Sequence, residues 1–158
     1  MQILDAAEQY DDACQVLEKQ PPGSGVLLPQ LNTAAVAIEL FLKSLSSKSI
    51  FVPLPNSDGY RVYAEPESKH HNLVELFDGI PEDIRDELES RFSTSTLTSL
   101  ASSLREMLGK YEGLFATSRY PFERNSDIQN YPRPPLMELS SFLRTFVRTL
   151  KPVDRIEW

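Results

Sequence analysis

The sequence contains few of the residues that form disulfides or metal sites. Cys14 is its only cysteine, so an internal disulfide is impossible and we expect no zinc site built from cysteines. His70 and His71 are its only histidines, and no His-x-x-x-His or mixed Cys/His cluster has the spacing of metal ligands. The sequence therefore predicts neither a metal centre nor another cofactor.

Long apolar runs and targeting signals are also missing. Residues 34–45 form the most apolar stretch, but they include two charges and are fewer than the roughly 20 residues that cross a bilayer. The segment that begins Met1-Gln-Ile-Leu lacks the basic start and apolar centre of a signal peptide. Together with the single cysteine, these features predict a cytoplasmic protein without membrane association.

Standard catalytic and phosphate-binding motifs are absent as well. The sequence contains neither Gly-x-x-x-x-Gly-Lys-Ser/Thr nor Gly-x-Gly-x-x-Gly, the loops that hold the phosphates of nucleotides in two large classes of enzymes. A Ser-His-Asp arrangement stays open, because its members lie far apart in sequence and no local pattern reports it. These motifs therefore do not identify an activity.

The chain has 158 residues and a formal net charge of −7, and its length predicts a single domain over residues 1–158. Residues 65–90 hold nine acidic against two basic residues, whereas residues 131–158 hold five basic against three acidic residues. A net acidic protein does not gain from the general attraction to nucleic acid. We expect the basic residues of the last helix to be solvated surface, with a phosphate contact as the alternative.

Apolar residues recur at helical spacing through most of the chain. Ile3, Tyr10 and Leu17 belong to a stripe that predicts a helix over residues 3–18, which ends before Pro21. Further helices are predicted over residues 26–46, 71–77, 82–92, 97–119 and 136–150, with a proline-rich loop over residues 124–135. The fold class is therefore all-α, a bundle of about five helices.

Two short segments with strand composition interrupt the helices. Residues 49–54 and 60–64 are rich in β-branched and aromatic residues, and the sequence Asn56-Ser-Asp-Gly between them is typical of a turn. Pro53 and Pro55 mark an exposed edge, because proline cannot donate to a β-ladder. We predict a small β-hairpin inserted at about residues 49–64.

The predicted helix over residues 26–46 is apolar on nearly every face, which is typical of a buried central helix. Glu39 and Lys43 are the only charges between residues 34 and 45, one turn apart on the same side. Buried charges are costly unless they are paired. They form either a simple i,i+4 pair or part of a larger buried polar cluster, and both alternatives stay open.

Four segments, in this order, resemble the HEPN superfamily of small α-helical domains. The Ala- and Tyr-containing first helix is followed by residues 32–45, which resemble the family's Glu-Leu-x-Leu-Lys helix. The sequence His71-Asn-Leu-Val-Glu-Leu-Phe resembles a second family segment, and Arg119-Tyr-Pro-Phe-Glu123 resembles its Arg-Tyr-x-x-Glu element. The resemblance spans about residues 3–125 and implies an HEPN-like bundle that forms dimers.

Many HEPN domains are metal-independent ribonucleases that use an Arg-x(4–6)-His motif, usually doubled across a dimer. This sequence departs from that pattern: Arg61 lies nine and ten positions before the two histidines, and no histidine follows Arg119. Other members are noncatalytic, or act with nucleotidyltransferases and in defence systems such as toxin–antitoxin pairs. The resemblance therefore favours a noncatalytic domain.

The candidate site residues each have a structural alternative. His71 is a candidate proton-transfer group, or a helix-start residue bonded to backbone or carboxylate. Arg119 is placed to hold a phosphate, or to form a salt bridge with Glu39. Cys14 is expected to be a small core residue. The full candidate set for a ligand site or buried polar cluster is Glu39, Lys43, His71, Arg119, Tyr120 and Glu123.

The main functional hypothesis is a noncatalytic, nucleotide- or RNA-associated regulatory protein that acts as a homodimer, with a nucleotidyltransferase or another protein as a further partner. The alternative is a divergent ribonuclease or nucleotide-processing enzyme that uses His71, Arg119 and Glu123. A third possibility is a purely structural interaction module. Apolar surplus at Tyr10, Phe142 and Phe146 motivates the expected dimer.

Overall fold

The computed structural model describes residues 3–55, 58–120 and 131–150. Most of these residues are helical, and one small antiparallel sheet accompanies the helices. The elements in chain order are α1 (Ile3–Glu18), α2 (Leu27–Leu45), β1 (Ser47–Pro53), β2 (Tyr60–Pro66), α3 (Leu73–Asp78), α4 (Glu82–Phe92), a 3-10 turn (Thr96–Ser99), α5 (Leu104–Lys110), α6 (Leu114–Arg119) and α7 (Arg133–Thr149). The predicted helical bundle with a hairpin is therefore confirmed.

Helix α2 is the centre of the bundle, as its composition predicts. It packs against α1, α3, α6 and α7, and Ala34, Ile38 and Phe41 have no solvent exposure. Pro29 lies in its first turn, where a missing backbone N–H costs nothing because that group has no partner within the helix. The fold thus surrounds α2 with helices on several sides, and any charge on it needs a partner inside the bundle.

The hairpin is confirmed and is longer than predicted. Strands β1 and β2 pair antiparallel from Ser47 opposite Pro66 to Pro53 opposite Tyr60. In the described part of the hairpin, no side chain belongs to the buried core. The hairpin therefore projects from the bundle and contributes little to its packing.

The continuous helix predicted over residues 97–119 is wrong, because the chain is interrupted twice in this segment. Helix α5 begins anew at Ser103, whose hydroxyl accepts a hydrogen bond from the backbone N–H of Glu106 at 3.1 Å. The helical path ends again before Gly113, which has a φ of 76° that side chains other than glycine adopt only with strain. The apolar stripe of this segment is nevertheless buried, including Leu104 and Tyr111.

Helix α7 begins three residues earlier than predicted. The prediction treated residues up to 135 as a loop because of their prolines, but the helix starts at Arg133 with proline in its first turn. Proline is favoured there because its fixed φ suits a helix start. In the rest of the predicted loop, residues 131–132 are not helical, and residues 124–130 lie outside the described residues.

The fold shows where the apolar residues that motivated the expected dimer lie. Phe146 is buried and Phe142 packs edge-on against Phe92 at 5.9 Å between ring centroids, whereas Tyr10 is exposed. The apolar surplus that motivated the dimer is thus smaller than the sequence indicated. No helix in the described part of the chain is long and apolar enough to span a bilayer.

Candidate functional site

A small cleft of about 70 Å³ lies between α2, the start of α3 and the α5–α6 junction. Its floor includes Glu39 and Ala35 from α2, and its rim includes His71 and Phe115. Two of the predicted candidates, Glu39 and His71, therefore line the same cavity although 32 positions separate them in the sequence.

The buried carboxylate of Glu39 contacts two nitrogen atoms from other side chains. Its Oε1 atom accepts a hydrogen bond from Lys43 Nζ at 2.7 Å and lies 2.9 Å from His71 Nδ1. The Glu39 and Lys43 side chains are only 9% and 10% exposed, whereas that of His71 is 68% exposed. The pair is thus part of a larger polar cluster, the second of the two alternatives left open by the sequence.

His71 is held in place by the start of helix α3. The side chain of Asn72 caps this helix by accepting hydrogen bonds from the backbone N–H groups of Val74 at 2.9 Å and Glu75 at 3.0 Å. The same Asn72 side chain donates to Glu112, which ties the helix start to the α5–α6 junction. The chain direction at residue 71 is therefore fixed, and the ring points back towards α2.

The His71 ring is fixed on two sides. It stacks on Phe115 with 6.2 Å between the ring centroids and 17° between the ring planes. On its other side, Nδ1 of the ring faces the Glu39 carboxylate at 2.9 Å. His71 is therefore a helix-start residue in contact with a carboxylate, and its ring lines the cleft.

Arg119 does not form the expected salt bridge with Glu39. Its guanidinium instead lies over the Phe115 ring at 5.2 Å and over the Tyr120 ring at 5.7 Å from their centroids. Lys43 and His71 contact the Glu39 carboxylate instead, and the sequence alone does not show which of these contacts form. Arg119 is exposed, so its charge faces solvent beside the cleft.

The candidates therefore divide into an inner and an outer group. Glu39 and Lys43 form the buried inner group. His71, Arg119 and Tyr120, joined through Phe115, form an exposed outer group that we call the aromatic–cation surface. Glu123, the last candidate, lies outside the described residues.

A second polar cluster, which the sequence analysis missed, joins α1 to α7. Asp11 accepts hydrogen bonds from Ser140 Oγ at 2.6 Å, Arg144 Nη1 at 2.6 Å and Gln15 Nε2 at 2.8 Å. Arg144 also donates to Asp12 at 2.6 Å. The only sequence signal was the polar Asp11 on an otherwise apolar stripe, opposite arginines near the end of the chain.

The prediction that the last helix carries solvated bases is confirmed for Arg133 and Arg148, which are exposed, and is wrong for Arg144, whose side chain is 15% exposed. Arg144 contacts two carboxylates of α1, and Arg148 Nε donates to Glu8 at 2.6 Å. Arg133 contacts the side-chain oxygen of Gln30 at 3.4 Å. These arginines therefore stabilise the contact between helices and offer less charge to a phosphate than the sequence indicated.

Cys14 is a core residue, as predicted. It is buried, and burial raises the pKa of its thiol to about 11. A thiol with this pKa holds almost no thiolate at neutral pH and is a poor nucleophile. Within the described ranges, no three His, Cys, Asp or Glu residues cluster as metal ligands.

Comparisons with protein-family models, with curated proteins and with solved structures each find no match for this chain.

Proposed function

We propose that this chain is an HEPN-like helical domain that binds a nucleotide or a single-stranded RNA segment without cleaving it. The observation that carries the proposal is the aromatic–cation surface, in which Phe115 supports both the His71 ring and the Arg119 guanidinium. Flat rings bind bases by stacking, and an arginine beside them holds a phosphate. On this proposal the protein is a cytoplasmic, dimeric regulatory component.

The size of the cleft decides how such a ligand binds. Ligand pockets that enclose small molecules measure about 300–1,000 Å³, whereas this cleft measures about 70 Å³. A whole nucleotide therefore cannot enter it. The base instead lies on the exposed His71 and Tyr120 rings, and the phosphate lies near Arg119.

The positions of the buried Glu39 and Lys43 side chains favour ligand binding over catalysis at this surface. Glu39 engages Nδ1 of His71 and so fixes the ring that a base would contact. Lys43 is 10% exposed and is too deep to reach a phosphate on the rim. Arg119 is then the cation available to the ligand at this surface. By the family resemblance, the protein partner is a nucleotidyltransferase or another component of a toxin–antitoxin or defence system.

Fluorescence anisotropy with a labelled 8-nucleotide RNA, and calorimetry with ATP, test this proposal. Arg119→Ala is expected to weaken binding about tenfold, because it removes one charged contact worth about 1.4 kcal/mol. Lys19→Ala is the matched control: it removes one exposed positive charge from the end of α1 and is expected to leave affinity unchanged. Equal losses in both variants, or no binding by the wild type at millimolar ATP, would contradict the proposal.

The enzyme alternative also has an observation in its favour. A carboxylate bonded to Nδ1 of a histidine, as in the Glu39–His71 pair, orients an imidazole for proton transfer. An RNA cleavage assay in EDTA decides between binding and cleavage. Cleavage that is lost in both His71→Ala and Arg119→Ala would establish a divergent ribonuclease, with Glu123 as the next residue to substitute.

A further inference from the structure

The β-hairpin exposes an unusual amount of apolar surface. Two-stranded hairpins on their own are marginally stable in water, and exposed strand edges pair readily with another strand. Here no residue of the hairpin belongs to the core, and its strand residues are exposed except for four that are half-buried, namely Ser47, Ile50, Ala64 and Pro66. The large apolar side chains that it exposes are Phe51, Val52, Leu54, Tyr60, Val62 and Tyr63.

The hydrogen-bond pattern shows which backbone groups face away from the hairpin. Leu54 N donates to Gly59 O at 2.9 Å, and Glu67 N donates to Ser46 O at 3.3 Å, one bond at each end of the ladder. Because inward and outward groups alternate along a strand, Val62 and Ala64 of β2 direct their N–H and C=O groups outward. The outer edge of β2 can therefore accept another strand.

We propose that two copies of this chain pair through their β2 strands, antiparallel, about a two-fold axis at Tyr63. In this register Val62 of each copy lies opposite Ala64 of the other, and these pairs exchange backbone hydrogen bonds. Tyr63 lies opposite its own counterpart. The result is a four-stranded sheet in the order β1-β2-β2-β1 with one bundle at each end.

Charge complementarity selects this register. Residues 61 and 65 are equally far from the axis, so Arg61 of each copy lies opposite Glu65 of the other, on the same face as the Tyr63 pair. Opposite charges and aromatic pairs facing each other across strands stabilise an antiparallel sheet. The two-fold arrangement forms both ion pairs at once, which is the self-complementarity that a symmetric dimer requires.

The neighbouring registers and the other edge each lack part of this arrangement. Moving the axis to Ala64 separates the two Tyr63 rings and places Arg61 opposite Glu67, which already contacts Lys48. Moving the axis to Val62 places Arg61 opposite Tyr63, so no opposite charges meet. Pairing two β1 strands about Ile50 places Lys48 opposite Val52, so no opposite charges meet. The β2 edge with its axis at Tyr63 is therefore the self-complementary one.

This inference goes beyond the proposed function, which names a dimer but no interface. It depends only on residues of the hairpin and uses none of the residues of the aromatic–cation surface. Failure of nucleotide or RNA binding would leave it standing, and its own failure would leave the ligand surface intact.

Charge reversal across the axis tests the interface directly. Arg61→Glu gives a chain with two acidic residues at positions 61 and 65, and Glu65→Arg gives a chain with two basic residues there. Each variant alone is expected to dissociate at least tenfold more readily than the wild type, because like charges then face each other. An equimolar mixture of the two variants restores both opposite-charge contacts and is expected to dimerise as the wild type does.

Sedimentation equilibrium reports the masses, against a monomer of 17.9 kDa. Lys69→Glu, an exposed charge reversal outside β2, is the matched control and is expected to leave the dimer unchanged. Circular dichroism confirms that each variant keeps its helices. A monomeric wild type at 50 μM, or a mixture that dimerises no better than its components, would overturn the proposal.

Cysteine cross-linking tests the position of the axis. The two Tyr63 residues lie opposite each other without exchanging hydrogen bonds, and the Cα atoms of such a pair are about 4.5 Å apart, within the range of a disulfide. Tyr63→Cys is therefore expected to cross-link fully in a glutathione redox buffer. Val52→Cys is the control, because Val52 and Tyr63 are equally exposed, at 42% and 43%, but Val52 lies away from the axis. The native Cys14 is buried and does not interfere. Equal cross-linking at positions 52 and 63 would overturn the proposed register.

Discussion

Glu39 and Lys43 depend on each other because both are buried in the most apolar helix of the chain. Glu39→Ala leaves the Lys43 ammonium without its partner, and we expect it to lower the free energy of unfolding by about 3–5 kcal/mol. The double variant Glu39→Ala/Lys43→Ala is expected to lose less than the sum of Glu39→Ala and Lys43→Ala, because no buried charge remains. Urea denaturation of the four proteins measures this coupling.

His71→Ala is the control for that experiment. The His71 side chain is 68% exposed and contacts the same carboxylate oxygen, so its loss should cost less than about 1 kcal/mol. Losses of similar size in Glu39→Ala and His71→Ala would mean that the buried Glu39–Lys43 pair is not the stabilising part of the cluster.

Tyr111 makes the free energy of unfolding depend on pH in the alkaline range. Its buried hydroxyl donates to Pro132 O at 3.0 Å, and burial raises its pKa to about 12 from an ordinary 10. Because the unfolded chain loses this proton first, the contribution is complete below pH 10 and is lost as the pH rises towards 12. Tyr111→Phe should therefore flatten the decrease in unfolding free energy between pH 10 and 12. An unchanged slope in denaturation curves across that range would contradict this.

Helices α1 and α7 are joined by a polar contact that should behave as a buried ion pair. Asp11, with a side chain 3% exposed, contacts Arg144, whose Nε atom is buried without a hydrogen-bond partner in the structure. Asp11→Ala is expected to destabilise the protein by about 3 kcal/mol, because Arg144 then lacks its buried partner. Asp12, on the same guanidinium but 61% exposed, is the control.

Asp12→Ala should cost at most about 1 kcal/mol, since exposed ion pairs contribute little. Thermal denaturation of both variants gives the comparison. Equal losses of stability in Asp11→Ala and Asp12→Ala would mean that burial does not determine the strength of the α1–α7 contact.

The break between α5 and α6 predicts opposite effects for two nearby glycines. Gly113 has a φ of 76°, so Gly113→Ala should lower the free energy of unfolding by about 1 kcal/mol. Gly109 lies within α5, and an added Cβ would meet Val74 Cγ2 at an ordinary 3.7 Å. Gly109→Ala should therefore raise stability by about 0.5 kcal/mol. Changes of the same sign in chemical denaturation would contradict this account of the break.

Local pattern was sufficient to predict most elements of this fold. Helix α2 and the hairpin followed from periodicity and turn composition, which act over a few residues. The interruptions of the 97–119 segment could not be predicted from periodicity, because its apolar spacing continues through them. Glu89 accepts hydrogen bonds from the N–H groups of Leu104 at 2.8 Å and Arg105 at 3.1 Å, and so helps to start α5 from a different helix.

The candidate site was predictable only in part, for a similar reason. Glu39 and Lys43 stood out because charges inside an apolar helix need partners, and that rule is local. The choice of His71 over Arg119 as the further partner of Glu39 depends on how α3 and α6 pack on α2, which spacing does not encode. Asp11 and Arg144 are 133 positions apart, so only the fold shows that they meet.

The charge distribution of the whole molecule limits how a nucleic acid can bind. The net charge is −7, and Arg144 and Arg148 of α7, which sequence alone offered to a phosphate, contact carboxylates of α1. Arg119 is then the main cation of the aromatic–cation surface. Binding to single-stranded RNA should depend on stacking more than on neutralised phosphates.

Salt dependence of RNA binding measures this balance. Each neutralised phosphate of a single strand contributes a slope of about −0.7 to log affinity against log salt concentration. One contact, from Arg119, predicts a loss of only about threefold in affinity between 50 and 200 mM salt. Arg119→Ala should bind more weakly and show almost no salt dependence, whereas Phe115→Leu should bind more weakly with the wild-type slope. A loss of roughly a hundredfold in the wild type over that range would require several neutralised phosphates, and hence a basic surface other than this one.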